Sequence, residues 1–347
     1  MFVFAAYSTN RWIHPMMKRQ LFYSVLFLSL IGQTGYGQQR KLEHLNLATT
    51  TVGLGRVPML VAQELRLFQK QGLDVSIVYI RGASTSLQAL LAGEVQLVVG
   101  GGQGTIGAAA RGAPVVIISN FASTPNQLVA LPPINSTDGL KGKIIGASRP
   151  GTSTDFVLDR LLPRVGLIPG KDVKLLPTGL LVSEERLAVL LQKKVDATLA
   201  NQESVLQFQQ RGHPLNVLAD ALALGVISTV DFSTSRSSLA TQRAQLKAFL
   251  KAIAEGIWLA KANKEIAFRV MEKYLAVQPR FLESTHTNYT IRLHPDKPYP
   301  VKEALAAAIE DMSPSIPGLR GKKPSDFADS SLVAELDKEG FFEQLKR

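Results

Sequence analysis

The chain contains no cysteine among its 347 residues. That excludes disulfides, thiolate metal sites, a thiol nucleophile and lipidation of an N-terminal cysteine, and it leaves export open. The five histidines, His14, His44, His213, His286 and His294, show no close ligand spacing, so no metal site is expected. Neither G-x-S-x-G nor G-x-x-x-x-G-K-[ST] occurs, and carboxylates are present without telling pairs. The net charge is +11, or about +8 without Arg11, Lys18 and Arg19 near the N-terminus. Those charges are scattered, with no basic run interleaved with aromatics, so no nucleic-acid partner is expected. Long apolar runs are also missing. The one run of note, 21–31, falls short of the roughly 20 residues that span a bilayer.

That run has a different meaning. Lys18 and Arg19 form a positive start, 21–31 an apolar core, and Gly35 and Gly37 offer small residues at a cleavage site. Residues 1–37 read as a signal peptide cut near Gly37, with 1–15 superfluous if the true start is Met16 or Met17. The mature chain is then expected to be exported, soluble and monomeric.

The organising feature is a repeat. Residues 45–48 form a short apolar strand running into Thr49-Thr50-Thr51. Pro58 opens a helix whose apolar face is Met59, Leu60, Ala62, Leu65 and Phe68. Gly72 caps it, and 74–80 is a β-branched strand. A loop at 81–84, a helix with Leu87, Leu90 and Leu91, and a strand 95–99 follow, ending in Gly100-Gly101-Gly102. A second copy lies about 100 residues on: strand 143–148, helix from 153 to 165, strand 172–176. Leu190-Leu191-Gln192-Lys193-Lys194-Val195-Asp196-Ala197 then echoes Leu90-Leu91-Ala92-Gly93-Glu94-Val95-Gln96-Leu97. Two α/β lobes with a cleft at the carboxyl ends of their strands are expected. Lobe I would take 38–125 plus 230–347, and lobe II 126–229. Beyond 229 the chain reads as helical, at 238–262, 264–275, 301–312 and from 332.

Gly102-Gln103-Gly104-Thr105-Ile106-Gly107 matches G-x-G-x-x-G. It follows the third strand of its lobe rather than the first, and the next strand leads to Ser119-Asn120, with no acidic residue for a ribose. These glycines read as a turn where backbone approaches a ligand or the facing lobe, and no cofactor is expected. Ser148-Arg149-Pro150-Gly151-Thr152-Ser153-Thr154 leaves a strand and opens a helix, which suits an anion; plain N-capping is the alternative. Arg81 and Arg149 are possible anion partners, or solvated surface arginines.

Several stretches together resemble one family. They are Pro58-Met59-Leu60-Val61-Ala62-Gln63-Glu64-Leu65-Arg66-Leu67-Phe68, Gly72-Leu73-Asp74-Val75, Ala89-Leu90-Leu91-Ala92-Gly93-Glu94-Val95, Arg111-Gly112-Ala113-Pro114-Val115 and Val195-Asp196-Ala197. The chain resembles periplasmic substrate-binding proteins of nitrate/sulfonate/taurine-type (NitT/TauT, SsuA/THI5-like) ABC transporters. The resemblance implies an α/β, type II periplasmic-binding-protein fold, whose two βαβ lobes hinge and close over a solute in an interlobe cleft. Its ligand contacts, carried over by position, are Thr50, Thr51, Gly82, Ala83, Ser84, Gly102, Gln103, Gly151, Thr152, Ser153 and Gln202. It implies a small anionic or zwitterionic organic ligand, a membrane permease as partner, and no catalysis. The chain departs from the family pattern at Thr51-Val52-Gly53, at Leu67 and at Gln202-Glu203. An enzyme akin to thiamine-pyrimidine synthases, or a pyrimidine-precursor-binding protein, is the alternative on the same fold.

Overall fold

Among the described residues, ten strands build two sheets: β1 (Glu43–Thr49), β2 (Leu73–Tyr79), β3 (Leu97–Gly101), β4 (Val115–Ser123), β5 (Asn126–Ala130), β6 (Ile144–Ala147), β7 (Lys174–Pro177), β8 (Ala197–Asn201), β9 (Asn216–Asp220) and β10 (Thr229–Ser235). The structure, a computed structural model, describes residues 41–50, 53–150, 152–225 and 229–347. The leader expected at 1–37, Thr51 and Gly151 lie outside these residues, as does the side chain of Ser153. All ten strands belong to the unit Leu42–Arg347.

The first sheet has the order β2-β1-β3-β10-β4 and the second β7-β6-β8-β5-β9. The two orders are the same pattern. In each, three parallel strands are followed by one antiparallel strand and then a fifth. The chain passes between sheets after β4 and again after β9, and each antiparallel strand, β5 or β10, is the first laid down after a passage. Parallel strands place their carboxyl ends on one edge, so the loops after β1, β2, β3, β6 and β8 line comparable edges of the two lobes.

Three expectations need correction. The helix expected across Pro58 to Phe68 is two, Val57–Glu64 and Leu67–Lys70, because Arg66 adopts a left-handed φ of 54°. The helix expected at 238–262 breaks at Gln242 into Arg236–Thr241 and Arg243–Ala262. Residues 229–235 are not the start of a helical tail but β10, a central strand of the first sheet.

The Arg243–Ala262 helix then closes the first lobe. It buries Leu246, Phe249, Leu250 and Ile253 completely against the sheet. Phe249 stacks on Phe68 at 5.6 Å and meets Phe232 of β10 edge-on at 5.1 Å. Each such side chain contributes roughly 1.5–3 kcal/mol by leaving water. Leu128, Ile145, Phe156, Leu161 and Leu199 of the second lobe share an apolar cluster with Ile117, Leu305, Ile309 and Phe327. No described helix is long and apolar enough to cross a membrane.

Candidate functional site

Helices Ala83–Leu91, Gly102–Ala110, Ser153–Arg164 and Gln202–Gln210 follow carboxyl ends of parallel strands, Gly102 and Gln202 directly and Ala83 and Ser153 a few residues on. Ala83–Leu91 and Gly102–Ala110 carry no acidic residue in their first turn, which leaves their positive ends uncompensated. In the first lobe, Thr50 follows β1, with its N–H on the Val99 carbonyl at 3.0 Å and its hydroxyl on the same oxygen at 3.3 Å. Thr50 and Ala83 share a small cavity of about 10 Å³ with Gly100, Gly101, Thr105 and Ser233. That space matches a single water. Gly82 caps the Ala83–Leu91 helix at φ 95°, and Ser84 is exposed.

Three polar side chains at these strand ends are unsatisfied. Gln103, in the first turn after β3, is buried with Oε1 unpartnered. Gln202, in the first turn after β8, has Oε1 buried and unpartnered while its N–H donates to the Pro125 carbonyl at 2.9 Å. Ser148, next after β6, is buried with a free Oγ. A buried polar atom without a partner is costly, so each of these suits a ligand that supplies the missing partner.

The remaining expected residues fall differently. Thr152 is the N-cap of the Ser153–Arg164 helix: its hydroxyl accepts from the Asp155 N–H at 3.4 Å and donates to the Arg149 carbonyl at 2.7 Å. Arg149 is exposed. Arg81 is exposed too, and donates to Glu185 Oε1 at 3.0 Å, which links the first lobe to the second. Gly102 starts a helix rather than a turn, and its close neighbour is Asp231 of its own sheet. Packing within the first lobe also calls for small residues here: a Cβ at Gly104 would lie 2.9 Å from that of Ala83.

Sequence reasoning missed the role of Glu203. Its Oε2 accepts the Leu54 N–H at 2.7 Å, across the two lobes. Burial pushes its carboxyl up to about 7, and nearby Glu184 adds to the rise while the Leu54 N–H opposes it. The residue borders a cavity of about 260 Å³ that also touches Leu54, Gln207, Arg211, Val277 and Thr285. The only sequence signal was a departure, a glutamate near where the resembling proteins often carry proline.

Behind β8, Arg186 is buried and donates to the Leu199 and Leu180 carbonyls at 3.1 and 3.0 Å and to Ser183 Oγ at 3.2 Å. Ser183 Oγ in turn accepts the Asn201 N–H at 3.0 Å. Burial lowers the guanidinium to about 10, against the raising effect of Glu184 and Glu185, so it stays charged. This scaffold fixes the strand end that presents Gln202. Among the described residues, no three His, Asp or Glu are placed to hold a metal ion.

Comparison with known proteins places this geometry. The fold matches the periplasmic aliphatic sulphonate binding protein SsuA of Escherichia coli, with a TM-score of 0.65 and 20% identity over 82% of this chain and 98% of that one. It matches the periplasmic nitrate-binding protein NrtA of Synechocystis PCC 6803 with a TM-score of 0.61 and 16% identity over 88% of each chain. Both likenesses establish the two-lobed periplasmic-binding-protein fold. In sequence, YtlA of Bacillus subtilis (strain 168) is 27% identical over 144 residues, which span 40% of this chain and 43% of that protein. The family model NMT1/THI5 like matches residues 55–267, more than half of the chain, and the chain belongs to this NMT1/THI5-like family.

Proposed function

We propose that this chain is an extracytoplasmic solute-binding protein of an ABC importer. It is exported by the leader at 1–37, works in the periplasm and delivers its solute to a membrane permease. Lobe I comprises 38–125 with 230–347, and lobe II 126–229. The solute is a small anionic or zwitterionic organic molecule, in keeping with the sulphonate and nitrate named for SsuA and NrtA. It would contact Thr50, Thr51, Gly82, Ala83, Ser84, Gly102, Gln103, Gly151, Thr152, Ser153 and Gln202, with Arg149 as an outer anion partner. Arg81, paired with Glu185, would act through closure instead.

The observation that carries this reading is the set of unpartnered buried atoms on Gln103, Gln202 and Ser148 at strand ends of both lobes. Closure around a charged solute would surround it with helix N-termini and hydroxyls, which favour anionic charge without any chemical step. The reading is of a binder and not an enzyme, in keeping with the sulphonate- and nitrate-binding proteins that share the fold.

A thermal-shift screen against sulfonates, carboxylates, amino acids and pyrimidines tests it, because a bound solute raises the melting temperature by mass action. Thr152→Glu should abolish that stabilisation by placing a carboxylate at the anion-facing helix start. An unchanged shift in this variant would remove the loop from the site.

A further inference from the structure

Gly53 has a φ of 92°, and a Cβ there would fall 2.3 Å from both carboxyl oxygens of Glu203. Glycine at 53 is therefore what lets the carboxyl reach the next N–H, that of Leu54. Leu54 begins the 3-10 turn Leu54–Arg56 of the first lobe; Glu203 lies in the first turn of the Gln202–Gln210 helix of the second. We propose that the Glu203 side chain, docked on the Leu54 N–H over Gly53, is the latch that holds the two lobes shut.

Other side-chain ties also join the lobes: Arg160 donates to the Ala307 carbonyl at 2.7 Å and to Glu310 at 3.3 Å, while two further pairs are weaker candidates than Glu203. Arg81 and Glu185 are 59% and 40% exposed, and Arg292 lies 3.6 Å from Asp220. An exposed pair is screened by water and salt. The Glu203 contact is part-buried, backed by Gln207 Nε2 at 3.3 Å, and made to a backbone N–H that cannot swing away. On the solute-binding reading above, this latch sets how long the solute is kept.

The latch also responds to protons. The titratable groups near Glu203 are Arg56, Glu184, Arg211 and Tyr289, while Glu185, Arg186 and His286 on the same elements bond Arg81, the Leu199 and Leu180 carbonyls, and the Ala260 carbonyl. None of them is a cation bonded to the carboxyl, so burial dominates and raises it to about 7 from its ordinary 4.5. Opening returns the group to water and to its ordinary value. Closing therefore takes up a proton between those two values, and the shut form is favoured by acid and weakened as pH rises through 7. A carboxylic acid keeps a carbonyl oxygen for the Leu54 N–H, so protonation does not break the contact.

Because the chain has no cysteine, Gln88→Cys with Gln192→Cys gives one clean pair of spin labels, one on each lobe. Pulsed dipolar spectroscopy of the purified protein, without added solute, at pH 5.5 and pH 8 then reads closure directly. A short-distance population is expected, larger at pH 5.5. Glu203→Ala and Gly53→Ala should each shift it to longer distances at both pH values, with circular dichroism confirming that they fold. Glu203→Gln keeps the acceptor, cannot ionise, and should stay shut at both. The proposal is overturned if Glu203→Ala and Gly53→Ala match the parent, or if Glu203→Gln opens as Glu203→Ala does. The measurement needs no ligand, so an empty thermal-shift screen would count against the binding reading alone.

Discussion

The carboxylate of Asp231 occupies the space that a side chain at Gly102 would need: a Cβ there would lie 2.3 Å from Asp231 Oδ2. Asp231 has little freedom to retreat. Its Oδ1 accepts from Asn120 Nδ2 at 3.0 Å and its Oδ2 from the Thr229 hydroxyl at 2.7 Å, with the whole residue buried in β10. Gly102→Ala should therefore cost roughly 1–3 kcal/mol, as overpacking does. Gly55→Ala, where a Cβ meets nothing within 4 Å, should stay within about 0.5 kcal/mol. Urea unfolding of the two variants makes the comparison; equal midpoints would show that β10 gives way easily.

That relationship also marks where sequence reasoning stopped. The repeat was legible because Val95 and Val195, and the strands after them, sit in the same place in each lobe. β10 was not, because its buried residues include Thr229, Asp231, Ser233 and Thr234, and polar residues at successive buried positions mimic a loop. Their partners, Asn120 and the Gln96 carbonyl, lie more than a hundred residues away. Gln103 and Gln202 could be named from the resemblance, yet their unsatisfied atoms emerge only in three dimensions. Glu203 was visible as an oddity of type; its partner Leu54 was not.

Arg186 should prove as sensitive as any residue in the second lobe. Arg186→Met takes the guanidinium donor from two carbonyls and from the Ser183 hydroxyl, which keeps only the Asn201 N–H. The expected loss is about 2–4 kcal/mol, since each buried group left unmade costs about 1–3 kcal/mol and some recover partners. Arg186→Lys should rescue only part of it, because an ammonium cannot reproduce the planar fork. Chemical denaturation reads both, and full rescue by lysine would mean that charge alone matters there.

Stability should also fall in acid through His294. Its Nδ1 lies 2.8 Å from the Phe121 carbonyl, its Nε2 is buried without a partner, and burial pulls the ring down to about 4. Nearby Lys261 lowers it further, and the Phe121 contact opposes the shift. The unfolded chain then binds the extra proton between about 4 and the usual 6.5. The neutral ring's contribution is complete above 6.5 and lost as pH falls toward 4, up to roughly 3 kcal/mol at about 1.4 kcal/mol per pKa unit. His294→Gln keeps a donor for Phe121 and cannot titrate, so the difference in unfolding free energy between pH 4.5 and 7 should shrink by most of that amount. An unchanged difference would assign the acid sensitivity elsewhere.

Gln103 separates binding from folding most cleanly. Its Oε1 is buried and unpartnered, so the native fold bears the cost of a desolvated acceptor that returns nothing to stability. Gln103→Leu removes that atom at similar volume and should leave the melting temperature of the free protein unchanged or slightly higher. The same substitution removes a polar group from the start of the Gly102–Ala110 helix, where the proposed solute would supply the partner. Any solute that stabilises the parent in the thermal-shift screen should then stabilise this variant less, by about 1–3 kcal/mol of binding free energy. Opposite signs in the two measurements, firmer fold and weaker binding, are what a residue kept for its ligand produces. A variant that melts early and binds normally would instead make Gln103 a packing residue.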